Sequence, residues 1–444
     1  MQEPIQLSDH FGYKRLIRFT MPSVFMMIIT SIYGVVDGFF ISNFVGKTPF
    51  AAVNFIMPFL MVVGALGFMF GTGGSALIAK TMGEGDEEKA KKIFSLIIYA
   101  TIISGVVIAI VSILFLRPIA SFLGAEGSML DDCVTYGQII LVALPLLMVQ
   151  YAFSSLVVTA EKPQFGLWVT IIAGVTNFVG DVLFMAVFQW GVLGAALATA
   201  IGQIVGGTIP LIYFSRKNTS RLKLGKFEWD TGALIKTCTN GSSELMNNIS
   251  MSIVGMLYNA QLLRYAGENG VAAYGTIMYV NFIFIAIFIG YVVGVSPVIS
   301  FHYGAGNRNE LKGLMKKSLV LILLASVIMF VMAEFMSTPL AKIYVGYDDE
   351  LLSMTVHAFK IYAFSFVFAG VAIFGSAFFT ALNDGLTSAL ISFLRTLVFQ
   401  CASVMLLPLV WGLDGIWISI IVAELMAVAV TGIFMVVKRK KYGY

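Results

Sequence analysis

Asp37 and Asp181 stand inside stretches otherwise apolar enough to cross a bilayer, "YGVVDGFFIS" (33–42) and "VTNFVGDVLF" (175–184). A carboxylate in hydrocarbon is costly, so one retained there is functional by default. Asn177 precedes Asp181 by four residues and shares its helix face. At the helical rise, Asp181 lies about 10 Å from one end of its apolar stretch, and Asp37 and Thr199 reach a similar depth. Two carboxylates, an amide and a hydroxyl on three helices therefore converge on one level. Two carboxylates in one desolvated site cannot both ionise freely. Such a site would hold a proton, or a sodium ion coordinated by carboxylate, amide and hydroxyl oxygens. Either event neutralises the interior and biases a two-state packing.

The elements that must position these groups follow from composition. Of 444 residues, 59% are hydrophobic and only 12% charged, against about 25% charged in soluble domains. The chain reads as an all-α polytopic membrane protein. Apolar stretches long enough to span number twelve, at about 16–45, 50–79, 93–116, 134–159, 165–188, 191–214, 234–263, 271–299, 314–337, 354–380, 386–409 and 412–437. Lys and Arg alternate in sidedness: Lys14, Arg15 and Arg18, then Lys89, Lys91 and Lys92, the segment 216–226, Arg308 to Lys317, and "KRKK" (438–441) fall on one side. The opposite loops are acidic, as in "YDDE" (347–350). Basic loops face the cytoplasm, so both termini are expected there, in a multi-pass protein of the inner (cytoplasmic) cell membrane. A full-length span follows Lys14 to Arg18, so no cleavable leader is expected.

The chain also repeats at a constant offset of 221 residues. "MGEGDEEKAKK" (82–92) matches "YGAGNRNELKG" (303–313), "WGVLG" (190–194) matches "WGLDG" (411–415), and Gly46 matches Gly267. Six spans per repeat place both copies in the same orientation, as in a two-lobed secondary transporter. The expected organisation is an N-terminal lobe at 1–214, a cytoplasmic linker at 215–232 and a C-terminal lobe at 233–444. The ion-site residues are not repeated: Asp37 corresponds to Tyr258 and Asp181 to Ala402. Ion response is therefore expected from lobe one.

Enzyme signatures are absent. "FGTGGSALIAK" (70–80) lacks the Lys-Ser/Thr ending of a phosphate loop, and Gly64, Gly67, Gly71 and Gly74 read as close-packing positions. The "GEGDEEKAKK" and "GAGNRNELKG" segments read as helix stops followed by Asp86 and Asn307 as N-caps. Three scattered histidines and Cys133, Cys238 and Cys401 make no triad, disulfide framework or zinc site. No organic cofactor is expected; the coupling ion is a proton or sodium. Glu244 either attracts a cationic substrate or faces water. Arg395 is expected to pair with Glu424, the repeat partner of Gln203.

The stretches "YGVVDGFFISNFVG" (33–46), "GTGGSALIAKTMGEGDEEKA" (71–90), "NFVGDVLF" (177–184), "WGVLGAALATAIGQ" (190–203) and "WGLDGIWISIIVAE" (411–424) together resemble the multidrug and toxic compound extrusion (MATE) transporters along essentially the whole chain. The resemblance implies twelve helices in two pseudo-symmetric six-helix lobes, and export of organic cations against inward sodium or proton flow. It also implies a prokaryotic lobe-one ion site, which falls on Asp37, Asn177, Asp181 and Thr199. Some branches use further acids in the middle of spans seven and ten; here "MNNISMSIVGM" (246–256) and "VFAGVAIFGSAFF" (367–379) hold none. The expected function is antiport of small amphipathic, cationic compounds by a monomer in the lipid bilayer, with no nucleic-acid partner. The alternatives are a lipid-linked oligosaccharide flippase of the same superfamily, whose pyrophosphate cargo would need basic residues in the cleft, and a channel or receptor-like membrane protein.

Overall fold

A computed structural model describes residues 5–444. The elements it contains are all helical. They are α1 (Tyr13–Phe40), α2 (Lys47–Gly83), α3 (Glu87–Leu123), α4 (Gly127–Thr159), α5 (Pro163–Asp181), α6 (Gly191–Ser215), α7 (Thr231–Gly304), α8 (Arg308–Val345), α9 (Asp349–Ala363), α10 (Ser365–Ala381), α11 (Gly385–Phe393), α12 (Gln400–Leu406) and α13 (Pro408–Tyr442). Three π-helical segments, Ile41–Val45, Val182–Val187 and Leu394–Phe399, continue α1, α5 and α11.

Ten helices among the described residues are long and apolar enough to span, or eleven if α9 and α10, bent by 44° across their break, form one crossing. The twelfth crossing lies inside α7. Its 74 residues would run about 110 Å if straight, several times the hydrocarbon thickness. Gly267 breaks it with φ 62° and ψ −152°, a backbone conformation open to glycine but not to L side chains. The arms 231–266 and 268–304 are two spans, and the count returns to twelve.

The 221-residue offset recurs in the backbone itself. Left-handed glycines pair as Gly46 with Gly267, Gly85 with Gly306, and Gly191 with Gly412. The expected caps also form: Asp86 accepts from the Lys89 amide at 3.0 Å and Asn307 from the Glu310 amide at 3.1 Å.

Contacts between the first six helices and the rest concentrate at the Lys/Arg-rich end. There α2 meets both arms of α7 backbone to backbone: a Cβ on Gly73 would collide with the Thr237 carbonyl, one on Gly241 with Met69, and one on Gly304 with Lys80. On α1, Thr20 and Val24 carry Gly294 and Gly290 in the same way. The last polar tie is Ser31, whose hydroxyl donates to the Phe282 carbonyl at 3.3 Å. Further along, the same faces are open. Gly38 lies five turns above Thr20 on its face of α1, and Gly255 about four turns above Gly241 on α7; neither has a heavy atom within 4 Å of a Cβ position. Met251 and Met256, beside Gly255, are 52% and 61% exposed. The molecule is a V, closed at its basic end and open at the other.

A side chain at Gly241 should therefore disfavour this state. Gly241→Val is expected to cost the closed basic end about 1–3 kcal/mol of overpacking. With Cys133, Cys238 and Cys401 replaced, thiol labelling of Gly38→Cys should slow about tenfold in its presence. Unchanged labelling would mean that this helix contact does not set the conformational balance.

Candidate functional site

The open arms of the V carry the predicted residues. Asp37 is 7% exposed near the end of α1, and Asp181 is wholly buried as the last residue of α5. The two carboxyls face each other. Thr199, on α6, lies 3.4 Å from Asp37 Oδ1. Its hydroxyl also donates to the Ala195 carbonyl at 3.0 Å, the better of the two bonds. A hydroxyl has one proton, which the Ala195 carbonyl and the Asp37 carboxylate share. Neither Asp181 oxygen has a hydrogen-bond partner, nor does Asn177 Nδ2. Buried polar atoms are normally satisfied, and here both oxygens of one carboxyl and the amide nitrogen one turn away are not. Asp37, Asp181 and Thr199 thus meet from three helices, and Asn177 lies one turn away from Asp181 on α5, against Gly202 of α6.

The backbone is unusual at the same places. A π-helical segment begins directly after Asp181 and another four residues after Asp37. Single turns of this kind cluster at functional sites. Residue types carried no signal for them.

Tyr136 of α4 was not anticipated. It is fully buried, its hydroxyl has no hydrogen-bond partner, and it sits beside Asp37, Asp181 and Thr199. A tyrosine near a span end is ordinarily an interfacial anchor, so its type and position masked its place in the site.

The α7–α13 half is built differently. Tyr258, at the repeat position of Asp37, is buried and stacked on Tyr274 with ring centroids 5.1 Å apart. Arg395, within the third π-helical segment, forks onto Glu424: Nε lies 3.0 and 2.9 Å from its two carboxylate oxygens and Nη2 2.9 Å from Oε1. Glu244 is half-buried about one turn from the Gly241 contact, within electrostatic reach of Arg395. The expected ion pair is present, and it occupies the guanidinium. Among the described residues, each of the three π-helical segments holds or follows an ionisable residue inside a span.

A family model described as MatE matches twice, over residues 22–183 and 245–405. The chain belongs to the MatE family. It is a transporter, not an enzyme. Among curated MatE relatives, the multidrug export protein MepA of Staphylococcus saprophyticus is 24% identical over 93% of this chain and 91% of its own length. MepA of Staphylococcus haemolyticus is 23% identical over 93% and 90%. Solved structures share the fold: a MATE in complex with MaL6 superposes with TM-score 0.94 at 21% identity over both full chains. A MATE family transporter of the MOP superfamily in an outward-facing conformation gives 0.93 at 21%, covering 100% of this chain and 99% of that one. The two matched segments of the MatE model begin 223 residues apart, close to the offset seen in both sequence and backbone.

Proposed function

We propose that this MatE protein is a secondary antiporter that exports amphipathic, cationic compounds in exchange for inward protons or sodium ions. The single observation that carries the reading is the pair Asp37 and Asp181: two carboxylates buried face to face inside the first six helices, with Thr199 alongside and no ion-pair partner. Loading a cation there cancels the repulsion and lets α1 repack, which displaces substrate from the cleft; the loaded carrier then turns towards the basic end. On this reading residues 1–214 form the ion-responsive lobe, 215–232 the linker and 233–444 the second lobe, with both termini cytoplasmic and a monomer as the working unit. The MepA relatives are named for multidrug export, and the exposed methionines of α7 suit apolar ligands of varied shape. Glu244 supplies a carboxylate at the base of the cleft for the cationic end of a substrate.

The flippase alternative is disfavoured by Arg395. Its guanidinium is held bidentate by Glu424, so it offers little to a pyrophosphate. Ethidium efflux from proteoliposomes, with sodium and pH gradients imposed one at a time, tests the reading. Uphill efflux driven by one of the two gradients is expected. Equilibration without accumulation would identify a channel instead.

A further inference from the structure

We propose that the coupling cation leaves Asp37 and Asp181 through the interior of the first six helices, along a polar track that Tyr33 gates; this rests on the antiport reading above. Three helices measure the track independently. On α6, Thr199 stands beside Asp37, Gly202 is packed against the Asn177 side chain with its Cβ position 2.9 Å from Asn177 Cβ, and Gly206 carries the Gln150 amide of α4 at 2.5–2.7 Å. Seven residues from Thr199 to Gly206 are about 10 Å of descent towards the basic end. On α5, Asp181, Asn177, Gly174 and Thr170 follow at helical spacing on one face. On α1, Asp37, Tyr33 and Thr30 do the same.

Three amides on this line have unspent hydrogen-bonding capacity, while the Thr30 and Thr170 hydroxyls bond to the Met26 and Gly166 carbonyls of their own helices. Asn177 Nδ2, Gln203 Oε1 and Gln150 Oε1 are all buried without partners. Orphaned buried amides in a row are costly unless water or an ion uses them in part of the cycle. The line ends in a mostly apolar cavity of about 50 Å³, where the Gln150 amide stands among Met26, Phe68, Val157, Gly166 and Thr170; it is large enough for water. Val157 and Gly166 lie within four residues of the 160–162 turn at the basic end.

One side chain interrupts the track. The Tyr33 ring fills the space that a Cβ on Gly174 would need, between Asn177 and the cavity. Its hydroxyl donates to the Thr170 carbonyl at 2.9 Å. A glycine at 174 makes room for the plug, and the hydrogen bond holds it shut. When the gate swings aside with α1, a proton on a site carboxyl breaks its O–H bond and passes to a water oxygen, leaving the carboxylate; a sodium ion exchanges its site oxygens for amide oxygens and water.

The test uses the full chain in proteoliposomes and detergent. Gln150→Leu should slow gradient-driven ethidium efflux about tenfold or more, while sodium or protons still displace bound ethidium at the wild-type midpoint. Tyr33→Ala should admit the coupling cation without ethidium, as a leak several times that of wild type. Wild-type efflux in Gln150→Leu, or no leak through Tyr33→Ala, would overturn the track. So would loss of ethidium binding in Gln150→Leu, since that makes the residue a structural prop. Failure of wild type itself to export under either gradient would instead overturn the antiport reading.

Discussion

Asp181→Asn is expected to reduce gradient-driven export to the background of empty vesicles while leaving the protein in the membrane at its normal level. Asp181 is fully buried against the Asp37 carboxyl and makes no ion pair, so its negative charge is not needed to hold the fold. The amide has the same shape and needs no counter-charge. Folding should therefore be unharmed, and thermal stability should hold or rise by about 1 kcal/mol as an unpaired ionisable group disappears. What is lost is the ability to alternate between charged and neutral. Asp37→Asn should behave alike, because an Asn oxygen can still accept from Thr199. Export and thermal melting, measured on the same preparations, separate these effects. Full export in both variants would remove the carboxyl pair from the mechanism.

Breaking the Arg395–Glu424 pair should produce the opposite pattern. The Glu424 side chain is 2% exposed and that of Arg395 13%, so removing one partner strands a buried charge. Arg395→Met is expected to cost about 3–5 kcal/mol, whereas Arg395→Met combined with Glu424→Met should recover most of the loss. The double variant should still export under the same gradient, because the proposed coupling site is on α1, α5 and α6. Melting temperatures of both single variants and the double one close the cycle. A double variant no more stable than Arg395→Met would show that the two groups act independently. Loss of gradient dependence in a stable double variant would move coupling into the second half.

Much of this was legible in the residues. Polar groups inside apolar stretches can be counted and placed by helical rise, which is why the proximity of Asp37, Asp181 and Thr199 is legible in the sequence. The apolar runs at 234–263 and 271–299 are legible as two spans, and Gly267, the repeat partner of Gly46, breaks the helix between them. The Arg395–Glu424 pair followed from the cost of lone charges. Other features left no trace in residue type. Tyr136 belongs to the site through packing alone. The π-helical segments beside Asp37, Asp181 and Arg395 depend on how the backbone meets its neighbours, and their local sequences read as ordinary helix. Gly174 is of a residue type common throughout the spans; only the Tyr33 ring lying over it shows what the missing side chain makes room for. The open and closed ends of the V are likewise a property of the assembled faces, since Gly38 and Thr20 share one stripe of α1 yet meet different surroundings.

The central claim is that substrate and cation compete through the Asp37–Asp181 pair. The most direct measurement is cation movement into proteoliposomes on addition of ethidium to the inside, for wild type and Asp181→Asn side by side. Wild type should exchange ethidium for protons or sodium at a fixed ratio, and Asp181→Asn should show neither flux. A variant that still exchanges the two at the wild-type ratio would contradict the account.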